Sequence, residues 1–428
     1  MDVLSILAVF TGIIIIGYFS ELLFKKTRIP DVLILILIGV LLRYGLGWVT
    51  PESLGEGTQI FATFTLVFLL FQGSLSIDFK TLFNSLKGAT LLTISSFFLT
   101  VIIIGILSMI LFQFTFTNAL LLGLILGGTS SAVVIPLVKS LPLGKKQGST
   151  LTLESAISDV LCIIGSITMI NILTTGDVSG IGVAGDILSS FALALFFGSI
   201  LGIIWVYLLS KFEDLKEANM VTIAVVIGVY ALLESPLFSA SGAIGALAFG
   251  LILGNSKTVL KMFKKNIDSK TEEKISLSSV LNKSSHNFFE EISFFVKVFF
   301  FVYLGIMMDF SSITIYALSF IIVLGIYLIR PLAVKFAYRK EKLSDLDRTS
   351  LEILIPKGLA AAVLVQLTIQ KGVIGAENLV SPVLAIIFLS ILLTSILVIL
   401  NSKGLFNGFW KIYKGKNVIK QVTKIEEK

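Results

Sequence analysis

The 428-residue chain has one cysteine and one histidine, which excludes several kinds of chemistry. A lone cysteine, Cys162, cannot form an internal disulfide, and it occupies an otherwise ordinary apolar position. With a single histidine, His286, there is no Cys/His metal cluster and no nucleophile–base arrangement of the kind that hydrolytic enzymes use. We therefore expect a protein that is not an enzyme and has no resident cofactor.

Charged residues are also scarce. They make up 14% of the chain, against about 25% in a soluble domain, while hydrophobic residues reach 55% and mean hydropathy is +0.98. The net charge of +7 lies in short loops between apolar runs, so it indicates membrane topology rather than nucleic-acid binding. The first apolar run is about 20 residues long, enough to span lipid and too long for a cleavable signal peptide.

Apolar segments follow one another along almost the whole chain. Each is close to the roughly 20 residues that cross a bilayer, so the sequence predicts an all-α polytopic membrane protein. We treat 1–410 as one membrane transport domain and 411–428 as a basic cytoplasmic tail. The thirteen predicted segments are 3–23, 29–48, 58–76, 88–114, 117–140, 148–174, 183–210, 219–236, 240–256, 289–309, 312–336, 349–370 and 379–401.

Lysine and arginine predict the orientation. Most of the 34 basic residues fall in alternate loops and in the C-terminal tail, whereas Lys371 and Arg43 lie on the opposite side. Because cytoplasmic loops carry an excess of Lys and Arg, we expect a cell-membrane protein with its N-terminus outside and its C-terminus in the cytoplasm.

Two carboxylates interrupt the apolar pattern of segment 6. Glu154 and Asp159 stand at membrane depth, where ionisable groups are expensive and commonly mark ion or proton pathways. Ser155 lies four residues before Asp159, so the two share one helix face, and Ser158 directly precedes Asp159. Carboxylate and hydroxyl oxygens are hard ligands that suit a small alkali cation.

Two segments carry helix-breaking residues near their centres. Segment 5 contains Gly127-Gly128-Thr129-Ser130-Ser131, and segment 12 contains Pro356-Lys357-Gly358. Because segments 5 and 12 are seven apart, this pattern predicts inverted repeats of segments 1–6 and 8–13. Interrupted segments at matching positions indicate a transporter's binding site, although membrane helices also tolerate Gly and Pro elsewhere.

Three basic residues lie within predicted membrane segments. Arg330 needs a carboxylate if it is buried, and Glu154 is the candidate; the alternative is that Arg330 snorkels to the surface. Lys357 either neutralises the negative end of a half-helix or lines a water-filled cavity. Lys297 is an unusual charge, and it would add a second proton carrier if it faced Asp159.

Four motifs together resemble the NhaP-type sodium/proton antiporters of the monovalent cation/proton antiporter superfamily. The resemblance covers essentially the whole membrane chain, and it implies thirteen segments with crossed, broken helices 5 and 12. The motifs are GGTSSAVV (127–134), ESAISD (154–159), RPLAV (330–334) and IPKGLAAAVL (355–364).

The resemblance also implies roles for individual residues. Asp159 would bind a cation and a proton in turn, with Ser155 and the backbone carbonyl of Thr129 completing a Na⁺ site. Glu154 would pair with Arg330 and contact the ion through water. The family is typically homodimeric, and its ion-carrying core bundle moves against a dimerisation bundle.

Three positions depart from the family pattern. Ser158 replaces an asparagine, Ser130 follows Thr129 where an aspartate is usual, and Lys357 replaces an arginine. Segment 5 therefore lacks one carboxylate of the family pattern, which changes the charge balance around Lys357. In segment 6, Asp159 is the titrating group that has no evident permanent partner.

We therefore predict that the chain exchanges Na⁺, or Li⁺, for H⁺ by alternating access, electroneutrally and one for one, in the service of pH homeostasis. The alternative is a K⁺/H⁺ antiporter or a channel-like K⁺ efflux protein.

Overall fold

In the computed structural model, the described residues are 3–27, 29–51, 57–75, 79–175, 180–211, 217–238, 240–263, 283–339, 341 and 343–403. The predicted tail, 411–428, lies outside these residues, as does most of the long connector before segment 10.

Helices occupy all thirteen predicted segments, and no strand occurs in the described part of the chain. Segments 5 and 12 are each divided into two half-helices. The helices are α1 (Val3–Thr27), α2 (Asp31–Val40, extended by a π-helical turn, Leu41–Gly45), α3 (Gly57–Leu75), α4 (Phe79–Leu111), α5 (Phe116–Leu126), α6 (Ser131–Ser140), α7 (Lys145–Thr175), α8 (Gly180–Lys211), α9 (Ala218–Glu234), α10 (Gly242–Gly254), α11 (Ser256–Phe263), α12 (Lys283–Met307), α13 (Ile313–Ala337), α14 (Asp345–Ile353), α15 (Leu359–Gln370) and α16 (Glu377–Ser402).

Length and composition make these helices suitable for a bilayer. In the described part of the chain, seven helices are long and apolar enough to cross a membrane, and several shorter apolar helices accompany them. Hydroxyl side chains begin three helices: Thr115 accepts from the N–H of Asn118, Ser241 from that of Ile244, and Ser344 from that of Asp347.

The helices pack into two bundles. The broken-helix bundle contains α4–α7 and α13–α16, and the second bundle contains α1–α3 and α8–α12. Packing is dense within each bundle, whereas contacts between them are few and fall mainly between α3 and α15, α2 and α16, and α7 and α8. This division leaves room for cavities between two internally well-packed bodies.

An ion pair and two glycines join α2 to α12 within the second bundle. Lys297 Nζ donates to Asp31 Oδ2 at 2.6 Å, and Asp31 is only 4% exposed. A Cβ at Gly39 would collide with the backbone at Val302, and one at Gly305 with the backbone at Ile36, so the helices touch where both lack side chains. The unexplained charge in segment 10 is thus balanced within its own bundle, by Asp31.

A second buried ion pair joins four helices of the broken-helix bundle. Both nitrogens of the Arg330 guanidinium fork donate to the Glu154 carboxylate, with Nη2 at 2.7 Å from Oε2. Arg330 also donates to Ser96 Oγ and, through Nε, to the carbonyl of Leu351 at 2.8 Å. Glu154 is 1% and Arg330 2% exposed, so Arg330 does not snorkel to the surface. The pair connects α4, α7, α13 and α14.

Removing either charge of this pair should destabilise the protein strongly. Glu154→Gln and Arg330→Gln should each cost about 3–5 kcal/mol, because each leaves a buried charge without its partner. The double variant removes both charges and should lose less than the sum of the single losses. Equilibrium unfolding of the purified variants in one detergent measures these differences.

The surface pair of Lys146 and Glu341 provides a matched control. Its Nζ–Oε2 distance is also 2.7 Å, but its side chains are 63% and 45% exposed, so solvent screens the interaction. Lys146→Gln and Glu341→Gln should change stability little. Strictly additive losses for Glu154→Gln and Arg330→Gln would contradict a direct energetic coupling.

Candidate functional site

The two helix breaks meet in the broken-helix bundle. Residues 127–130 separate α5 from α6, and residues 354–358 separate α14 from α15. The N–H of Ser130 donates to the carbonyl of Pro356 at 2.7 Å, and a Cβ at Gly358 would collide with the Ser130 side chain. The close crossing therefore requires a glycine at position 358.

Side chains of α7 bind the free backbone N–H groups of the first break. The N–H of Gly128 donates to Cys162 Sγ at 2.9 Å, and that of Thr129 donates to Ser158 Oγ at 3.0 Å. Ser158 Oγ also lies 3.3 Å from Thr129 Oγ1. Serine, although shorter than asparagine, thus reaches the break, and Cys162 has a polar contact that its apolar surroundings in sequence did not indicate.

Lys357 lies at the C-terminal end of the half-helix α5. Its Nζ donates to the carbonyl of Gly128 at 2.7 Å, and its own N–H donates to Ser390 Oγ at 2.9 Å. The lysine is 2% exposed. A positive charge at this position would oppose the partial negative charge of the α5 carboxyl end, and the lysine also lines a small pocket beside Asp159. Both roles predicted for Lys357 stay predictions.

Asp159 lines a cavity of about 550 Å³ between the two bundles. α3 and α10 contribute one wall, and α6, α7 and the loop that joins them contribute the other. Asp159 Oδ2 accepts a hydrogen bond from Ser131 Oγ at 2.8 Å. Among the described residues that line this cavity, Asp159 is the one ionisable group; the polar side chains around it are Ser74, Ser131, Ser149 and Thr152.

A smaller pocket of about 10 Å³ connects Asp159 with both helix breaks. Thr129, Ser130, Lys357 and Gly358 share its lining with Asp159. Ser130 Oγ is buried there without a hydrogen-bond partner among the described atoms. A volume of this size is close to that of one water-sized group, so a dehydrated ion or a single water fits between the carboxylate and the breaks.

Two predicted ligands lie apart from these cavities. Ser155 is fully buried, its Oγ donates to the carbonyl of Thr152 at 2.9 Å, and its own carbonyl accepts from Ser158 Oγ at 3.1 Å. Glu154 contacts Arg330, and neither Glu154 nor Ser155 lines the Asp159 cavity in the described structure. Ser131 is the contact of Asp159 that the sequence did not single out.

A known protein family matches most of the chain. The family model described as "Sodium/hydrogen exchanger, transmembrane" matches residues 9–400, which is most of the chain. A protein of Methanocaldococcus jannaschii named "Probable Na(+)/H(+) antiporter 2" is 29% identical over 361 residues, covering 79% of each chain.

Two further relatives differ in the cation that their names specify. The Na⁺/H⁺ antiporter ApNhaP of Aphanothece halophytica is 24% identical over 401 residues, covering 91% of this chain and 71% of the relative. The K⁺/H⁺ antiporter NhaP2 of Shewanella sp. strain MR-4 is 28% identical over 240 residues, covering 55% and 41%.

The fold matches a solved membrane transporter. The structure of the sodium proton antiporter MjNhaP1 from Methanocaldococcus jannaschii at pH 8 superimposes with a TM-score of 0.77 at 21% identity, covering 93% of this chain and all of that one. The polytopic helical fold predicted from the sequence is therefore confirmed. With the family model matching across nearly the entire membrane region, the chain belongs to the transmembrane sodium/hydrogen exchanger family.

Proposed function

We propose that the protein is a secondary active transporter that exchanges Na⁺, with Li⁺ as a possible substitute, for H⁺ by alternating access. One observation carries the proposal: Asp159 is the one ionisable residue among the described residues that line the large cavity between the bundles. The names of the relatives that match most of the chain support Na⁺ as the cation.

Exchange follows from competition for one carboxylate. A deprotonated Asp159 presents a negative charge and hard oxygen ligands to a cation, whereas a protonated carboxyl has no charge to attract one. A cation and a proton therefore exclude each other at Asp159. If the cavity opens alternately to the two faces of the membrane, Asp159 carries a cation in one direction and a proton in the opposite direction.

Neighbouring residues complete the proposed Na⁺ site. Thr129 lines the small pocket with Asp159, and we assign its backbone carbonyl as a further ligand. Ser155, one helical turn before Asp159, would join as a ligand only if its hydroxyl left the carbonyl of Thr152. Ser130 and Ser158 shape the first break. Lys357 balances charge there, and Glu154 keeps Arg330 neutralised, so a contact of Glu154 with the ion would pass through water.

A K⁺/H⁺ antiporter is the alternative, since relatives named for that exchange match part of the chain. A channel-like K⁺ pathway has less support. A second cavity lies at the other end of α7, around Asn171, and it shares no described lining residue with the cavity around Asp159.

The proposed setting is the cell membrane. The chain would work as a homodimer in contact with lipid, with its N-terminus outside and its C-terminus in the cytoplasm. The broken-helix bundle would be the moving core, and the second bundle would form the dimer contact.

Asp159→Asn should abolish exchange and leave the fold intact. Asparagine keeps the shape of aspartate but cannot alternate between a charged and a protonated form. Proteoliposomes with a preset pH gradient should lose their response to a Na⁺ pulse. Asp309→Asn, the same substitution in the exposed loop between α12 and α13, is the control and should exchange normally. Normal Na⁺-dependent proton flux through Asp159→Asn would refute the proposal.

Exchange should be electroneutral, with one proton per cation. Asp159 supplies a single titrating site to the cavity, and Lys297 is engaged by Asp31 in the other bundle, away from Asp159. The Na⁺/H⁺ exchange rate at saturating Na⁺ should therefore not change when a K⁺/valinomycin potential is imposed on proteoliposomes.

Lys297→Gln separates the two accounts of stoichiometry. We expect this variant to remain electroneutral, with any loss confined to protein stability, because the buried Asp31 loses its partner. An exchange current that reverses with voltage would contradict the single-carboxylate mechanism, and its disappearance in Lys297→Gln would identify the lysine as the second carrier.

A further inference from the structure

A second cavity, of about 220 Å³, lies between the same two bundles on the opposite face. Its lining includes Asn171 of α7 and Gln366 of α15, together with residues of α3, α8, α9 and α10. Asn171 stands twelve residues beyond Asp159, or about 18 Å along the helix axis. The two cavities therefore approach the middle of α7 from its two ends.

The two cavities share no lining residue in the described part of the chain. Beside the second cavity, a pocket of only about 20 Å³ is enclosed by Ile164, Ile167, Thr168 and Asn171 of α7, Ser190 of α8, and Ser241 and Ile244 at the start of α10. Ile244 is 4% exposed. The Asp159 cavity, by contrast, extends to the exposed loop at Gly144. Asp159 is thus open towards the face of that loop and separated from the cavity at the far face.

An ion pair crosses between the bundles at the far-face cavity. Lys371 Nζ lies 3.9 Å from Glu234 Oε2. Lys371 follows the last residue of α15 in the broken-helix bundle, whereas Glu234 ends α9 in the second bundle. Glu234 Oε1 also accepts the N–H of Gly242 at 3.1 Å, which fixes the carboxylate to the first turn of α10.

We propose that Glu234 and Lys371 form a latch that holds the far face closed while the Asp159 cavity is open. The inference rests on the exchange function proposed above, in which the far face must open during each cycle. Separation of the bundles at that face would pull Lys371 away from Glu234, because each residue belongs to a different bundle.

The exposure of the pair suits repeated opening. The Lys371 and Glu234 side chains are 51% and 33% exposed, so water rehydrates both charges when they part. The Glu154–Arg330 pair lacks this property, because its separation would leave two buried charges without partners. A weak, hydrated pair biases the equilibrium between states without preventing the change.

The surface pair of Lys146 and Glu341 again provides the control. It joins the first turn of α7 to the connection between α13 and α14, so both residues belong to the broken-helix bundle. Movement of one bundle against the other should leave this distance unchanged. The two pairs differ in whether they cross between bundles.

Crosslinking tests the latch directly. Glu234→Cys/Lys371→Cys, treated with a short reducible bifunctional thiol reagent, should lose exchange in proteoliposomes and recover it after reduction. The native Cys162 is buried and gives little background reaction. The crosslinked control, Lys146→Cys/Glu341→Cys, should keep exchanging. Unimpaired exchange by the crosslinked Glu234→Cys/Lys371→Cys protein, or failure of its cysteines to crosslink, would overturn the latch.

A labelling experiment gives a readout that does not depend on transport. Ile244→Cys places a buried thiol in the small pocket beside the far-face cavity, and a polar thiol reagent should reach it faster when the far face opens. Adding Glu234→Gln/Lys371→Gln should raise its labelling rate in detergent by up to about fivefold, the size expected for one exposed ion pair. Adding Lys146→Gln/Glu341→Gln should leave the rate unchanged.

The two results separate the two proposals. An unchanged labelling rate in Ile244→Cys/Glu234→Gln/Lys371→Gln would overturn the latch, whether or not the protein exchanges cations. Absence of Na⁺/H⁺ exchange in the unmodified protein, with faster labelling in that variant, would instead overturn the proposed function and leave the latch in place.

Discussion

A helix that stops inside a bilayer exposes backbone N–H and C=O groups that hydrocarbon cannot hydrogen-bond, and this constraint shapes the centre of the protein. At the first break, side chains of α7 supply the missing partners: Ser158 accepts a hydrogen bond from the N–H of Thr129, and Cys162 accepts one from the N–H of Gly128. Lys357 binds the carbonyl of Gly128, and the two breaks hydrogen-bond to each other. Because the same helix carries Asp159, the interactions that stabilise the breaks also hold the carboxylate beside them.

The two carboxylates of α7, Glu154 and Asp159, have different partners. Glu154 and Arg330 satisfy one another and connect four helices, so a buried carboxylate next to the site is committed to the fold. Asp159 accepts from the Ser131 hydroxyl and faces a cavity, with no arginine or lysine in an ion pair with it among the described residues. We propose that this difference in partners gives the two carboxylates, which are five residues apart, different roles.

The sequence predicted most of the architecture because its strongest signals are local. Apolar length revealed the thirteen segments, and Gly127-Gly128 and Pro356 revealed the two breaks. The high cost of a buried guanidinium made a partner for Arg330 necessary, and Glu154 is that partner. The Asp31–Lys297 pair was not predictable, because 266 positions separate its members and Asp31 lies at a segment's end. The sequence likewise did not show that Ser131 is the residue that contacts Asp159, because residues 129–131 all carry hydroxyl groups and the contact depends on where α6 begins.

The central claim is that one cation displaces one proton from Asp159. Titration of the purified protein with NaCl in weakly buffered detergent solution, with released protons counted against bound Na⁺, tests it most directly. We predict one proton released per Na⁺ bound, and no release from Asp159→Asn. Na⁺ binding to the unmodified protein without proton release, or equal release from Asp159→Asn, would contradict the account.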